Sequence, residues 1–183
     1  LNKWYKPSSQ RVFYCYNIRV NKTGAFMTAT PVETTLEERI LDWTEQLCES
    51  LAENYKLYHR RMIEANSAYF NGDGSKKELS KYAQDQIDAM DNGTAKLMKF
   101  RIENGRKYYR IIQQDFDTFQ DRNEYRDGSV HAFINKKTGE VFKPASWKSP
   151  AKHVRYDLRI IKEREYVLNP QNCGWAGGYL YMR

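Results

Sequence analysis

The sequence predicts an α+β fold: an antiparallel β-sheet, made of a hairpin over 11–30 and a meander over 96–143, packed against an inserted helical hairpin. Three observations predict it. Strand-favouring residues alternate with period two near both ends of the chain. Between them, apolar residues recur at steps of three and four. The charge follows the same division: residues 1–32 carry five basic and no acidic side chains, residues 33–93 carry 7 and 13, and residues 94–183 carry 18 and 10. On this reading residues 1–183 form one domain and residues 34–92 are the insertion, with helices at about 35–70 and 76–91.

The first strand pair follows from Val12, Tyr14, Tyr16, Ile18 and Val20, with a turn at Asn21-Lys22-Thr23-Gly24 and a return strand stopped by Pro31. Thr35-Leu36-Glu37-Glu38 then fits a capping box, in which the hydroxyl and carboxylate satisfy free N–H groups. Leu36, Ile40, Trp43, Leu47, Leu51, Tyr55, Tyr58, Met62, Ala65 and Tyr69 follow as one apolar stripe. Asn71-Gly72-Asp73-Gly74 ends that helix, and Ser75-Lys76-Lys77-Glu78 reads as a second capping box. Leu79, Tyr82, Ala83, Ile87 and Met90 form the shorter helix, closed by Asn92-Gly93.

Met98, Phe100 and Ile102 alternate up to Glu103-Asn104-Gly105-Arg106, where Asn-Gly predicts a tight hairpin with two positive-φ residues. Lys107 to Gln113 returns, and Asp115 to Gly128 reads as a polar loop. Val130, Ala132 and Ile134 alternate again, and Asn135 to Gly139 turns the chain into Val141 and Phe142.

Composition narrows the function. The 30 Lys and Arg outnumber the 23 Asp and Glu, so a polyanion would meet the basic flanks and not the acidic middle. Cys15, Cys48 and Cys173 are too scattered for a disulfide framework or a zinc site, which points to a reducing compartment. No apolar run is long enough to span a bilayer and the start lacks a signal-peptide pattern, so no membrane partner is expected.

The segment Lys143-Pro144-Ala145-Ser146-Trp147-Lys148-Ser149-Pro150-Ala151-Lys152-His153-Val154-Arg155-Tyr156 is the most distinctive. Its prolines exclude helix and predict an extended or looped chain. Residues 136–155 hold six basic side chains and one acid, Glu140. Lys136, Lys137, Lys143, Trp147, Lys148, Lys152, His153, Arg155 and Tyr156 are therefore candidate nucleic-acid contacts: cations for phosphates and flat rings for bases. Fully extended, the ladder from Lys143 to Arg155 would reach roughly 35–40 Å. Trp147 has a second reading, as a packing anchor of the sheet.

These residues also resemble something. Gly105-Arg106-Lys107-Tyr108, Val130-His131-Ala132-Phe133, Lys136-Lys137-Thr138-Gly139-Glu140-Val141, Lys143-Pro144-Ala145-Ser146-Trp147, Pro150-Ala151-Lys152 and Trp175-Ala176-Gly177-Gly178-Tyr179-Leu180-Tyr181 are similar to segments of a group of small tailed-bacteriophage proteins of unassigned function. The resemblance implies a viral protein acting in a host bacterial cytoplasm, or packaged in a virion, and implies no activity.

Other candidates are weaker. His59, His131 and His153 have no metal-ligand spacing, although His131 and His153 would converge if the proline loop folded over the sheet. Asp115, Asp117, Asp121, Glu124 and Asp127 crowd one loop, but Arg122 and Arg126 would neutralise them. Trp175, Tyr179 and Tyr181 in the glycine-rich tail either pack as a lid or bind a partner. No phosphate-binding loop, nucleophile elbow or zinc motif occurs. The sequence thus predicts a non-enzymatic, cofactor-free protein whose basic sheet-and-loop face binds DNA or RNA. The alternative is a protein–protein module that engages a host bacterial protein or virion components through the long helix and the tail.

Overall fold

The computed structural model describes residues 34–67, 75 and 78–181. The chain divides between Thr35 and Leu36, and the unit described here begins at Leu36. The expected hairpin over 11–30 lies outside the described residues, as do Tyr69 and the Asn71–Gly74 stop.

The described unit is α+β. Helices α1 (Leu36–Ser67) and α2 (Lys81–Asp91) precede five strands: β1 (Lys99–Asn104), β2 (Tyr108–Asp117), β3 (Glu124–Asn135), β4 (Glu140–Pro144) and β5 (Pro150–Asp157). A third helix, α3 (Ile161–Val167), follows. The strands form an antiparallel meander in the order β1-β2-β3-β4-β5.

α1 begins directly after Thr35 and buries one stripe. Ile40, Leu47 and Leu51 are fully buried, whereas Leu36, Tyr58 and Met62 are each at least 40% exposed. The expected stripe is therefore core only in the first half of the helix. Its opposing surface is one face of the sheet: Tyr109, Ile111, Ala132, Ile134 and Val141, joined by Leu158, Val167, Cys173 and Leu180. Two polar residues fasten α1 to the C-terminal segment. Ser50 Oγ donates to the Leu168 carbonyl at 2.6 Å, and Asn54 bridges the Pro170 carbonyl and the Trp175 N–H.

α2 starts later than expected. Ser80, and not Ser75, is its N-cap: its hydroxyl accepts from the Ala83 N–H at 3.2 Å. The end at Asn92-Gly93 is as expected, with Gly93 at φ 71°. Asp91 reaches back to Arg60 of α1 at 2.7 Å, as an antiparallel return requires.

The β1–β2 turn forms where Asn104-Gly105 predicts it, but for a different reason. Neither residue has positive φ; the positive-φ glycines among the described residues are Gly93, Gly139 and Gly177. The turn is wider, with Asn104 paired to Tyr109 and the Gly105 N–H donating to the Tyr108 carbonyl at 3.0 Å. A Cβ at Gly105 would lie 2.9 Å from that carbonyl oxygen, so close approach is what requires glycine.

Two loop expectations are corrected. Residues 115–128 are mostly strand: β2 and β3 pair as far as Asp117 and Glu124, leaving residues 118–123 as the connection. Asp117 holds that end together by accepting from the Phe119 N–H, Arg122 and Arg126. Residues 143–156 do not run out as a single extended segment either. They form the β4–β5 hairpin, in which Pro144 pairs with Pro150 at the strand ends, where a missing donor costs nothing. The ladder from Lys143 to Arg155 folds back on itself, and the predicted reach is lost.

Ile40→Asp should cost roughly 3 kcal/mol or more, because an unpaired charge enters the core, while Met62→Asp should stay within about 0.5 kcal/mol. Urea unfolding of both variants checks where the buried stripe ends.

Candidate nucleic-acid interface

The β4–β5 turn is closed by its serines. Ser146 and Ser149 hydroxyls lie 2.8 Å apart, and Ser146 Oγ accepts from the N–H groups of Lys148 and Ser149. The Ala145 and Ser146 N–H groups both donate to the Ser149 carbonyl. Arg110 of β2 then donates through Nη1 to the Trp147 carbonyl at 3.1 Å. Since β3 lies between β2 and β4, the turn must lean over the sheet face that α1 does not cover. That face carries Ile112, Val130, Phe133, Phe142 and Tyr108.

This fold-over places Lys148 in a cleft with Gly105, Arg106, Lys107, Tyr108, Arg110 and Phe133, about 220 Å³ in volume. A second groove of about 740 Å³ runs round the end of the sheet, lined by Arg106, Lys107, Lys136, Lys137 and Thr138, with Glu37 as its one carboxylate. The two share Arg106 and Lys107. Arg110 is neutralised by Glu103 at 2.8 Å. Arg106, Lys107, Lys137 and Lys148 are exposed and form no ion pair among the described residues. Lys107 lies over the Tyr108 ring at 5.2 Å and Lys136 over Tyr109 at 4.8 Å. Lys136 also donates to the Asn104 side chain, which ties the two hairpin ends together.

The expected nucleic-acid contacts divide into four groups. Lys136, Lys137 and Lys148 line the grooves. Lys152 and His153 are exposed on the edge strand β5, and Lys143 sits 3.6 Å over the Tyr181 ring. Arg155 and Tyr156 are used inside the fold: Arg155 Nε donates to the Leu180 carbonyl at 2.7 Å, and the Tyr156 ring stacks between Tyr166 and Tyr179. Trp147 belongs to neither core cluster and is 42% exposed. Arg106, Lys107 and Arg110 were missed by sequence reasoning. Their signal is local: three cations in five residues, interleaved with Tyr108 and Tyr109, directly after a turn.

The tail packs as a lid. Trp175 meets Tyr55 edge-on and Tyr58 tilted, and Leu180 is buried. Tyr179 stacks on His131, whose Nε2 lies 3.0 Å from the Tyr179 hydroxyl. Tyr181 stays 59% exposed. His131 reaches this side through a bulge: Ile111 pairs with Ala132 and Ile112 with Val130, so His131 is the extra residue between them. It packs against Phe100, and burial pushes its imidazole down to about 4. His153 is exposed on β5, and no hydrogen bond or ring contact joins it to His131.

Among the described residues no group of three or more His, Cys, Asp or Glu gathers as a metal site. Asp127 is held down to about 2 by hydrogen bonds from Arg101 and Gln114. No helix of the described residues is long and apolar enough to cross a membrane.

Fold and site together define an α+β protein with a cation-lined sheet end. The chain belongs to the family of unknown function DUF7717, whose model matches residues 24–182. No curated protein matches the chain, and no solved structure does.

The His131 imidazole gives a pH prediction. Its folded pKa lies below the unfolded value of about 6.5, so the unfolded state takes up the proton first as pH falls. Stability should be full above about 6.5 and drop by about 3 kcal/mol towards pH 4. The depressed Asp117, Asp127 and Asp157 act in a lower window, their contribution being lost only below about pH 4. Urea midpoints between pH 7 and 4.5 should therefore fall for the parent and flatten for His131→Gln.

Proposed function

We propose that this chain is a non-enzymatic nucleic-acid-binding protein, phage-encoded and working in the cytoplasm of a bacterial host. The observation that carries the binding is the pair of adjoining grooves with shared cations, Arg106 and Lys107, flanked by Lys137 and Lys148 without carboxylate partners among the described residues. Exposed unpaired cations aligned along a groove release counterions when they meet phosphates, which gives affinity without base recognition. The phage setting rests on the resemblance of residues 105–181 and not on the grooves. Lys152 and His153 are exposed on β5, outside the two grooves.

Binding of DNA and RNA should weaken steeply between low and moderate salt. Arg106→Glu with Lys107→Glu should lower affinity at least tenfold at low salt and make the salt slope shallower by about two units. Both are surface changes and should leave stability within about 0.5 kcal/mol. Lys162→Glu, on α3, should leave binding unchanged. Flat isotherms for both nucleic acids at low salt would end this reading.

A second reading, a protein–protein module, is favoured by the groove between α1 and residues 170–176. It is about 710 Å³ and lined by Leu57, Tyr58, Arg61 and Trp175. Leu57 and Tyr58 are each 42% exposed there. Host or virion proteins retained by the chain after nuclease treatment, and lost on Tyr58→Ala, would favour it.

A further inference from the structure

The smaller cleft has a shape that the binding reading alone does not require. One wall is the β1–β2 turn with Gly105, Arg106 and Lys107; the other is the β4–β5 turn with Lys148. Its floor is aromatic: Phe133 is 1% exposed, and Tyr108 meets Phe133 and Phe142 edge-to-face, each at 5.9 Å. The volume of about 220 Å³ falls below the roughly 300–1,000 Å³ of pockets for drug-sized ligands. Trp147, which precedes Lys148 in the β4–β5 turn, does not line the cleft; it is 42% exposed and has no ring partner among the described residues. The serine-closed turn and the Arg110 bond to its carbonyl fix the backbone beneath that ring. A flat side chain on a turn already fixed spares part of the ordering cost of binding.

We infer that this cleft receives the base of one unpaired nucleotide, against Tyr108 or Trp147, with the sugar outside and the phosphate on the rim at Arg106, Lys107 and Lys148, so that the chain binds single strands in preference to duplex. The inference rests on the nucleic-acid reading and narrows its substrate. A duplex keeps its bases stacked inside and offers a convex phosphate surface, which meets the cations on the rim but not the aromatic floor. A single strand can splay a base into the cleft, where stacking adds to the phosphate contacts and tolerates any sequence. Because Arg106 and Lys107 also line the larger groove, the neighbouring phosphates have a continuous cationic path towards Lys136 and Lys137.

The test is fluorescence anisotropy at one fixed salt concentration. Its probes are a mixed-sequence single-stranded DNA, the RNA of the same sequence, and the DNA duplexed with its complement. The full chain should bind at least one single strand about tenfold or more tighter than the duplex. Trp147→Ala, which removes an exposed ring, should erase most of that preference by weakening the single strand while leaving duplex affinity unchanged. Tyr108→Leu should act the same way, with urea unfolding used to confirm its fold. Duplex binding as tight as single-strand binding, still sensitive to Arg106→Glu with Lys107→Glu, overturns this inference and leaves the nucleic-acid reading standing. Trp147→Ala and Tyr108→Leu each weakening all probes equally, or not at all, also overturns it. No binding of any probe overturns both.

Discussion

The structure depends on one burial: the stripe of Ile40, Leu47 and Leu51 on α1 against one face of a meander sheet. Each of those side chains contributes roughly 1.5–3 kcal/mol when removed from water. The C-terminal segment completes the same core, with Leu158, Val167, Cys173 and Leu180 filling the space that one helix leaves over five strands. Ser50 and Asn54 fix the register of α1 on that segment by hydrogen bonds to its backbone. The aromatic tail is packed onto this core, with Tyr179 shared between His131 and Tyr156, Trp175 half-buried against α1, and Tyr181 59% exposed.

With one face committed to α1, the other must be managed by the sheet itself. Phe133 and Phe142 there are nearly fully buried although no helix among the described elements covers them. The β4–β5 turn supplies part of the cover, tethered across β3 by Arg110. The cover is a turn and not a helix, so it encloses a cleft, and cations at the sheet end line the opening. The same constraint therefore yields both the second small core and the smaller basic cleft.

Local features of this arrangement were legible in sequence. The start of α1, the Asn92-Gly93 stop, and the Asn135 to Gly139 turn, where Gly139 has φ 68°, all follow from short-range chemistry. The Asn104-Gly105 turn was placed correctly, although crowding by the Tyr108 carbonyl and not positive φ selects glycine. The seven-residue α3 gave no periodic signal and has no side-chain cap; its Glu163 accepts from the Asp157 N–H at 2.6 Å and so ties the helix to the end of β5. His131 on the α1 side was illegible because a bulge reverses the alternation at that residue. The proline segment was read as extended or looped because prolines exclude helix; Ser146 and Ser149 close a turn within it, so only the long reach of its cations is lost. Lys148 could then meet Arg106 and Lys107 only through tertiary folding, which no local pattern announces. The hairpin over 11–30 and the inserted character of residues 34–92 rest on residues outside those described.

The central claim is that the sheet end formed by Arg106, Lys107, Lys136, Lys137 and Lys148 is a nucleic-acid surface. The most direct measurement is amide chemical-shift mapping of the labelled chain during titration with a short oligonucleotide at low salt. Shifts concentrated at residues 105–110, 136–138 and 145–149 are the result the account predicts. Shifts confined to α1 and the tail, or spectra unchanged through the titration, would contradict it.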